Sequence, residues 1–207
     1  MKNSRFNFNR KAAVLCAVFA FVIGLTSCQW TPKTYYHDED LNGSWVSSYY
    51  EEFNIDIDNQ KFDNGSYSYA GDNLVIKFTG SDRGYIYFKY TKSYEAAYTE
   101  PVDVSSWTIS EYWINDATSE CVYKQPEDLT GWTYYSSWYR YSASAPDAGK
   151  WYAISFKNLS ESSVQFSGAY GSKEGHKLSS VDTLDEAKEE FTIENGYFSY
   201  YSDCTRK

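Results

Sequence analysis

Residues 131–142 read GWTYYSSWYRYS, and the fold turns on where this stretch is placed. Aromatic side chains fit a pleated surface, so it is read as a β-strand, with successive side chains pointing to opposite faces. One face then carries Trp132, Tyr134, Ser136, Trp138 and Arg140, and the other Thr133, Tyr135, Ser137, Tyr139 and Tyr141. Both are aromatic, and a single core can bury only one. The expectation is that one face packs in the core. The other is then covered by a neighbouring connection, lines a ligand cavity, or meets a partner. Trp132, Tyr134, Trp138 and Arg140 are the candidate binding residues. Trp138 and Arg140 would be the anchors, because Trp, Tyr and Arg are enriched at binding hot spots.

Working outward, strand patterns recur on both sides. Phe53, Ile55 and Ile57 alternate with Asn54, Asp56 and Asp58, a half-buried strand. Residues 74–79 and 85–90 flank a polar, glycine-bounded loop at 80–84, and 151–156 with 164–166 form the next pair. Asn64-Gly65 and Asn195-Gly196 are turn dipeptides that supply positive φ. One helix is predicted over 184–190. Thr183 and Glu186 match a capping box, and Leu184, Ala187 and Phe191 share one helical face. A last strand is expected at 196–201. Residues 93–130, with Pro101, Pro126, Trp107 and Trp113, are read as an irregular connection. The fold class is therefore mainly β, an antiparallel barrel of about eight strands with one helix near the C-terminus. A two-sheet sandwich is the alternative.

The N-terminus is of a different kind. Lys2, Arg5, Arg10 and Lys11 precede an apolar run over 12–25, the make-up of a secretory signal peptide and too short for a comfortable span. It ends in Leu25, Thr26, Ser27 and Cys28, which resembles the bacterial lipobox. The resemblance implies cleavage before Cys28 and acylation of that residue, hence stable anchoring without a transmembrane helix. Residues 1–27 are then the signal peptide, 28–40 a lipidated tether, and 41–207 one β domain. Gln29 follows the lipidated position, which by the enteric sorting rule permits the outer membrane, with the domain periplasmic or surface-exposed. Loss of the four basic residues of the signal peptide leaves 15 Lys+Arg against 28 Asp+Glu, a net charge of −13. That surface repels phosphate backbones, so nucleic acid is not an expected partner. The acidic stretch His37, Asp38, Glu39 and Asp40 is read as solvated linker rather than as a metal site.

Leu41, Asn42, Gly43, Ser44 and Trp45 are similar to the Gly-x-Trp start of lipocalins. In that family the Trp plugs the closed end of a barrel whose open end takes a hydrophobic ligand. No Thr-Asp-Tyr motif is present, and no late Arg is evidently placed against Trp45. Residues 62–65, 84–90, 149–158, 183–187 and 194–204 resemble small spirochaetal (treponemal) lipoproteins. That group supports location and compactness and implies no chemistry. Of the cysteines outside the signal peptide, Cys28 is the lipidation site, and Cys121 and Cys204 could form a disulfide in an exported protein.

Groups that carry catalysis are sparse. The two histidines are His37, in the tether, and His176, in a polar loop, and neither is scaffolded for a nucleophile pair. Asp56 and Asp58 start like a calcium loop, but the required Gly and Glu do not follow. No metal or cofactor is expected. The reading is a non-catalytic binding module on a membrane, with a protein, glycan or small hydrophobic ligand as partner. The alternatives are a lipocalin-like carrier and a carboxylate-based hydrolase.

Overall fold

Period-2 alternation of apolar and polar side chains sets where each strand turns its apolar face. The computed structural model describes residues 35–49, 51–65, 69–171, 173 and 175–207. The expected signal peptide, Cys28 and the expected tether as far as residue 34 lie outside them. The strands are β1 (Gly43–Ser47), β2 (Glu52–Asp56), β3 (Lys61–Asp63), β4 (Ala70–Phe78), β5 (Gly84–Ala97), β6 (Thr108–Asn115), β7 (Cys121–Val122), β8 (Trp132–Ser142), β9 (Trp151–Lys157), β10 (Ser163–Gly168) and β11 (Ser202–Arg206). Strands β1 to β5 form an antiparallel meander that β9, β10 and β11 continue. β1 then closes on β11, with Trp45 opposite Arg206. The chain thus forms a closed eight-stranded antiparallel barrel of lipocalin-like fold, not a sandwich, and closure leaves no barrel edge exposed.

Aromatic rings fill the barrel. Trp45, Phe53, Phe62, Phe88, Phe156 and Phe166 are buried together with Ile55, Ile86, Ile154 and Val164. The rings meet one another: Phe62 stacks on Phe88 at 4.6 Å, and Phe53 lies 5.0 Å from Phe166. Gly71 makes this possible on β4, because a Cβ there would fall 2.2 Å from a ring carbon of Phe88. A bulge between Asp72 and Val75, with Asn73 at φ 54°, bends the same strand as closure requires.

A second buried layer lies outside the barrel. On β5, Tyr85 and Tyr87 alternate with the inward Ile86 and Phe88, and all four are buried. The cover is α1 (Leu184–Glu190) with its following loop: Ala187, Phe191, Tyr197 and Phe198 pack on Tyr85, Tyr87 and Ala153. The expected strand at 196–201 is this loop instead, and the final strand runs Ser202–Arg206. The apolar residues at 197 and 198 are needed to cap β5, so pairing with β1 and β10 falls to the next segment.

Three further expectations are corrected. The tether as expected ran to residue 40, but Tyr35–Lys207 is the compact unit. Residues Asp38–Leu41 form a 3-10 turn whose Asp40 carboxylate accepts from the His37 amide, and Leu41 is buried. Cys121 and Cys204 are both free thiols, the first exposed on β7, the second buried in the barrel. Burial and the nearby Glu51 push the Cys204 thiol up to about 12. The segment 93–130 is not irregular throughout, since it holds the end of β5 and all of β6 and β7.

Candidate functional site

The strand β8 does not enter the barrel. Its place beside β5 is divided: Gly84 to Lys89 pair with β9, whereas Ser93 to Ala97 pair with β8. Since β4 and β9 already flank the barrel part of β5, the β8 strand can pair only with the part that runs on beyond. β6 pairs along the other side of β8 and β7 along β6, which gives a four-stranded antiparallel sheet built on the overhang. No residue of β6, β7 or β8 is buried. The expectation that one aromatic face packs in the core is therefore wrong, for a topological reason. Both faces are solvent-accessible, and the 93–130 connection lies beside β8 in the sheet instead of folding over it.

The two faces differ in chemistry. Trp132, Tyr134, Trp138 and Arg140 share one face, as the strand alternation required, and β6 adds Ile109, Glu111 and Trp113 to it. This face is charged and internally bonded. The Tyr134 hydroxyl donates to Glu111 at 2.6 Å, and that carboxylate lifts the phenol above its usual range. Arg140 Nε donates to Glu95 at 2.6 Å and Nη1 to Ser106 at 3.0 Å, while its guanidinium lies 4.5 Å from the Trp107 ring centre. Arg140 is thus fixed by partners on β5 and in the 3-10 turn Val104–Ser106, so it holds the sheet in shape instead of standing free as an anchor. Tyr134 is 48% exposed, and Trp132 and Trp138 are half-buried.

The opposite face is tyrosine-rich. Tyr94 of β5 stacks against Tyr139 at 6.1 Å and meets Tyr141 edge-on at 5.8 Å. Tyr112 of β6 stacks on Tyr135 at 5.5 Å, with Tyr123 at 6.3 Å. Cross-strand aromatic pairs of this kind contribute roughly 0.2–1 kcal/mol each, which helps a sheet with no buried layer to persist. Sequence reasoning missed Tyr94, Tyr112 and Tyr123. The signal was available in 108–115, where Ile109, Glu111 and Trp113 alternate with Ser110, Tyr112 and Ile114.

Among the described residues no group of three His, Cys, Asp or Glu is placed to hold a metal ion. The carboxyl groups among the described residues that depart from their ordinary range, Asp56, Asp103 and Asp128, depart downwards, through hydrogen bonds from Asn59, Ser105 and Thr130 respectively. Such groups are poor proton donors near neutral pH.

The Gly-x-Trp start has the partner that the sequence did not reveal. Trp45 is fully buried, its indole N–H donates to Leu41 O at 2.9 Å, and the Arg206 guanidinium covers its ring at 4.1 Å. Gly43 adopts φ 116°, and a Cβ there would stand 3.1 Å from Arg206 Nη1. The motif thus keeps one end of the barrel shut. Comparison with protein-family models, curated proteins and solved structures finds no match to this chain.

Proposed function

We propose that this chain is a lipid-anchored, non-catalytic binding module of the bacterial cell envelope, with the barrel as a stand and the projecting sheet as the recognition surface. One observation carries the reading. The Tyr36 amide donates to Ser81 O in the turn that begins β5, whereas the sheet is built on the last residues of the same strand. β5 has 14 residues, about 45 Å of strand at roughly 3.3 Å per residue. Tyr36, near the start of the described domain, and the aromatic sheet therefore lie toward opposite ends of β5.

The carrier alternative asks the barrel to receive a ligand, but the rings that would contact one contact each other. The hydrolase alternative needs two carboxyl groups flanking a substrate, whereas on the sheet Glu111 is engaged by the Tyr134 hydroxyl and Glu95 by Arg140. The sheet supplies exposed, conformationally restricted rings with hydroxyl groups between them, the make-up of adaptable recognition surfaces.

Excision is the test. Ala96 and Tyr139 are cross-strand partners, so an Asn-Gly turn can replace 97–138 and close a hairpin without touching a barrel strand pair. The excised protein should fold with near-parental thermal stability. It should lose binding to every member of a panel of extracellular glycoproteins, glycans and lipid vesicles that the mature chain retains. Retained binding by the excised chain would overturn the proposal.

A further inference from the structure

We infer that the tyrosine face of the projecting sheet is a platform for neutral oligosaccharides; this rests on reading the sheet as a recognition surface and adds which face binds and what it takes. The strand positions of this face carry no charged residue. β8 places Thr133, Tyr135, Ser137, Tyr139 and Tyr141 there, and the facing positions of β6 are Thr108, Ser110, Tyr112 and Ile114. Tyr94 and Ala96 of β5 complete it. The rings form two groups, Tyr94 with Tyr139 and Tyr141, and Tyr112 with Tyr135 and Tyr123. Ser110 and Ser137, directly opposed, lie between the groups. Tyr135 and Tyr139 are four residues apart, about 13 Å along the strand. The result is a shallow floor of small hydroxyl residues between two aromatic walls. Tyr94, Tyr123 and Tyr135 are 51%, 77% and 43% exposed.

A pyranose ring presents C–H bonds on its faces and hydroxyl groups at its rim. The negative π-faces of aromatic rings attract the former, and Ser, Thr and Tyr hydroxyls both donate to and accept from the latter. Charge selects among sugars. Residues 93–142 hold eight Asp and Glu against one Lys and one Arg, a net charge of −6. A sialylated or sulfated chain is repelled by that surround, whereas an uncharged one meets an uncharged face at no electrostatic cost.

The full mature chain is probed on an array of neutral glucose, mannose, galactose and N-acetylglucosamine oligosaccharides printed beside sialylated and sulfated ones. Each neutral sugar bound is then titrated calorimetrically. Binding should be confined to neutral sugars and should change little between about 0.01 M and 1 M salt, over which screening changes most. Tyr135→Ala and Tyr139→Ala should each weaken it about tenfold or more, and Tyr200→Ala, an exposed tyrosine elsewhere on the domain, should leave it at the parental value. Ser137→Glu removes no ring, so it separates lost binding from lost sheet packing; it should weaken binding as much, with an unchanged near-ultraviolet dichroism spectrum. Absence of any neutral sugar bound, binding of charged sugars alone, or indifference to Tyr135→Ala, Tyr139→Ala and Ser137→Glu would each overturn the inference. A protein captured through Tyr134 and Trp138, with the tyrosine-face variants silent, removes the sugar platform and leaves the recognition sheet standing. Capture that survives excision of 97–138 removes both.

Discussion

The guanidinium of Arg206 donates to three carbonyls, Glu161 O at 2.9 Å, Asn42 O at 2.5 Å and Asp40 O at 2.6 Å, while lying over Trp45. It joins β11 to the turn ahead of β1 and to the loop after β9, three segments that barrel closure must bring together. Each such charged hydrogen bond contributes on the order of 1.5 kcal/mol when shielded, and the ring contact about 0.5–1 kcal/mol at an exposed site. Water can replace part of the former here, because Arg206 lies at the surface. Arg206→Ala should therefore cost about 2 kcal/mol, a fall in Tm of roughly 4–8 °C for a domain of this size. Arg206→Lys should recover only part of that loss, since an ammonium is a point charge without a planar fork. A scanning calorimetry trace of Arg206→Ala that overlays the parent would show that Gly43 and Trp45 close the barrel unaided.

At the scale of single elements, α1 is specified almost wholly by its own residues. Thr183 Oγ1 accepts from the Glu186 amide at 3.2 Å, and Glu186 Oε2 accepts from the Thr183 amide at 2.9 Å. At the other end, the Asn195 side chain donates to the carbonyls of Glu189 and Glu190. The helix has seven residues and would not persist alone; burial of Ala187 and Phe191 holds it against β5 and β9. Thr183→Ala should cost about 1 kcal/mol, which thermal denaturation would register as roughly 2–4 °C. A loss several times larger would mean that the cap also positions the whole outer layer. This helix and the β4–β5 and β9–β10 hairpins were legible in the sequence because their signals are local: a cap three residues from its partner, or a glycine-bounded turn between alternating runs. Placing β8 was not a local matter. Its own pattern shows a strand with two aromatic faces, but whether β8 or β9 lies beside β5 in the barrel depends on competition between distant segments. The pairing of Arg206 with Trp45 was hidden for the same reason, and β6 was masked by the prolines Pro101 and Pro126, which lie outside it in the connections.

For the molecule as a whole, the distribution of polarity decides how it can meet a membrane. Outward positions on β2 and β3 carry Glu52, Asn54, Asp56, Lys61 and Asp63, while the inward positions hold Phe53, Ile55 and Phe62. This is the reverse of an outer-membrane barrel, whose apolar band faces lipid. Among the described residues no helix is long and apolar enough to cross a membrane. Cleaved before Cys28, the chain would carry −13 and would be repelled by anionic headgroups within about a Debye length, some 8–10 Å at physiological salt. Under the proposed lipid anchoring, attachment would fall to Cys28, whose acylation would supply the affinity. Each buried methylene of an acyl chain contributes about 0.8 kcal/mol, and two chains suffice for stable anchoring. Cys28→Ala should move the protein from the detergent phase to the aqueous phase on phase partitioning of whole cells, with the domain still folded. Incorporation of radiolabelled palmitate should be lost in parallel. A Cys28→Ala protein that stays with the membrane fraction after a high-salt wash would refute lipid anchoring at this residue. The membrane-anchored part of the proposal would then fail, and the excision of 97–138 would test the recognition surface alone.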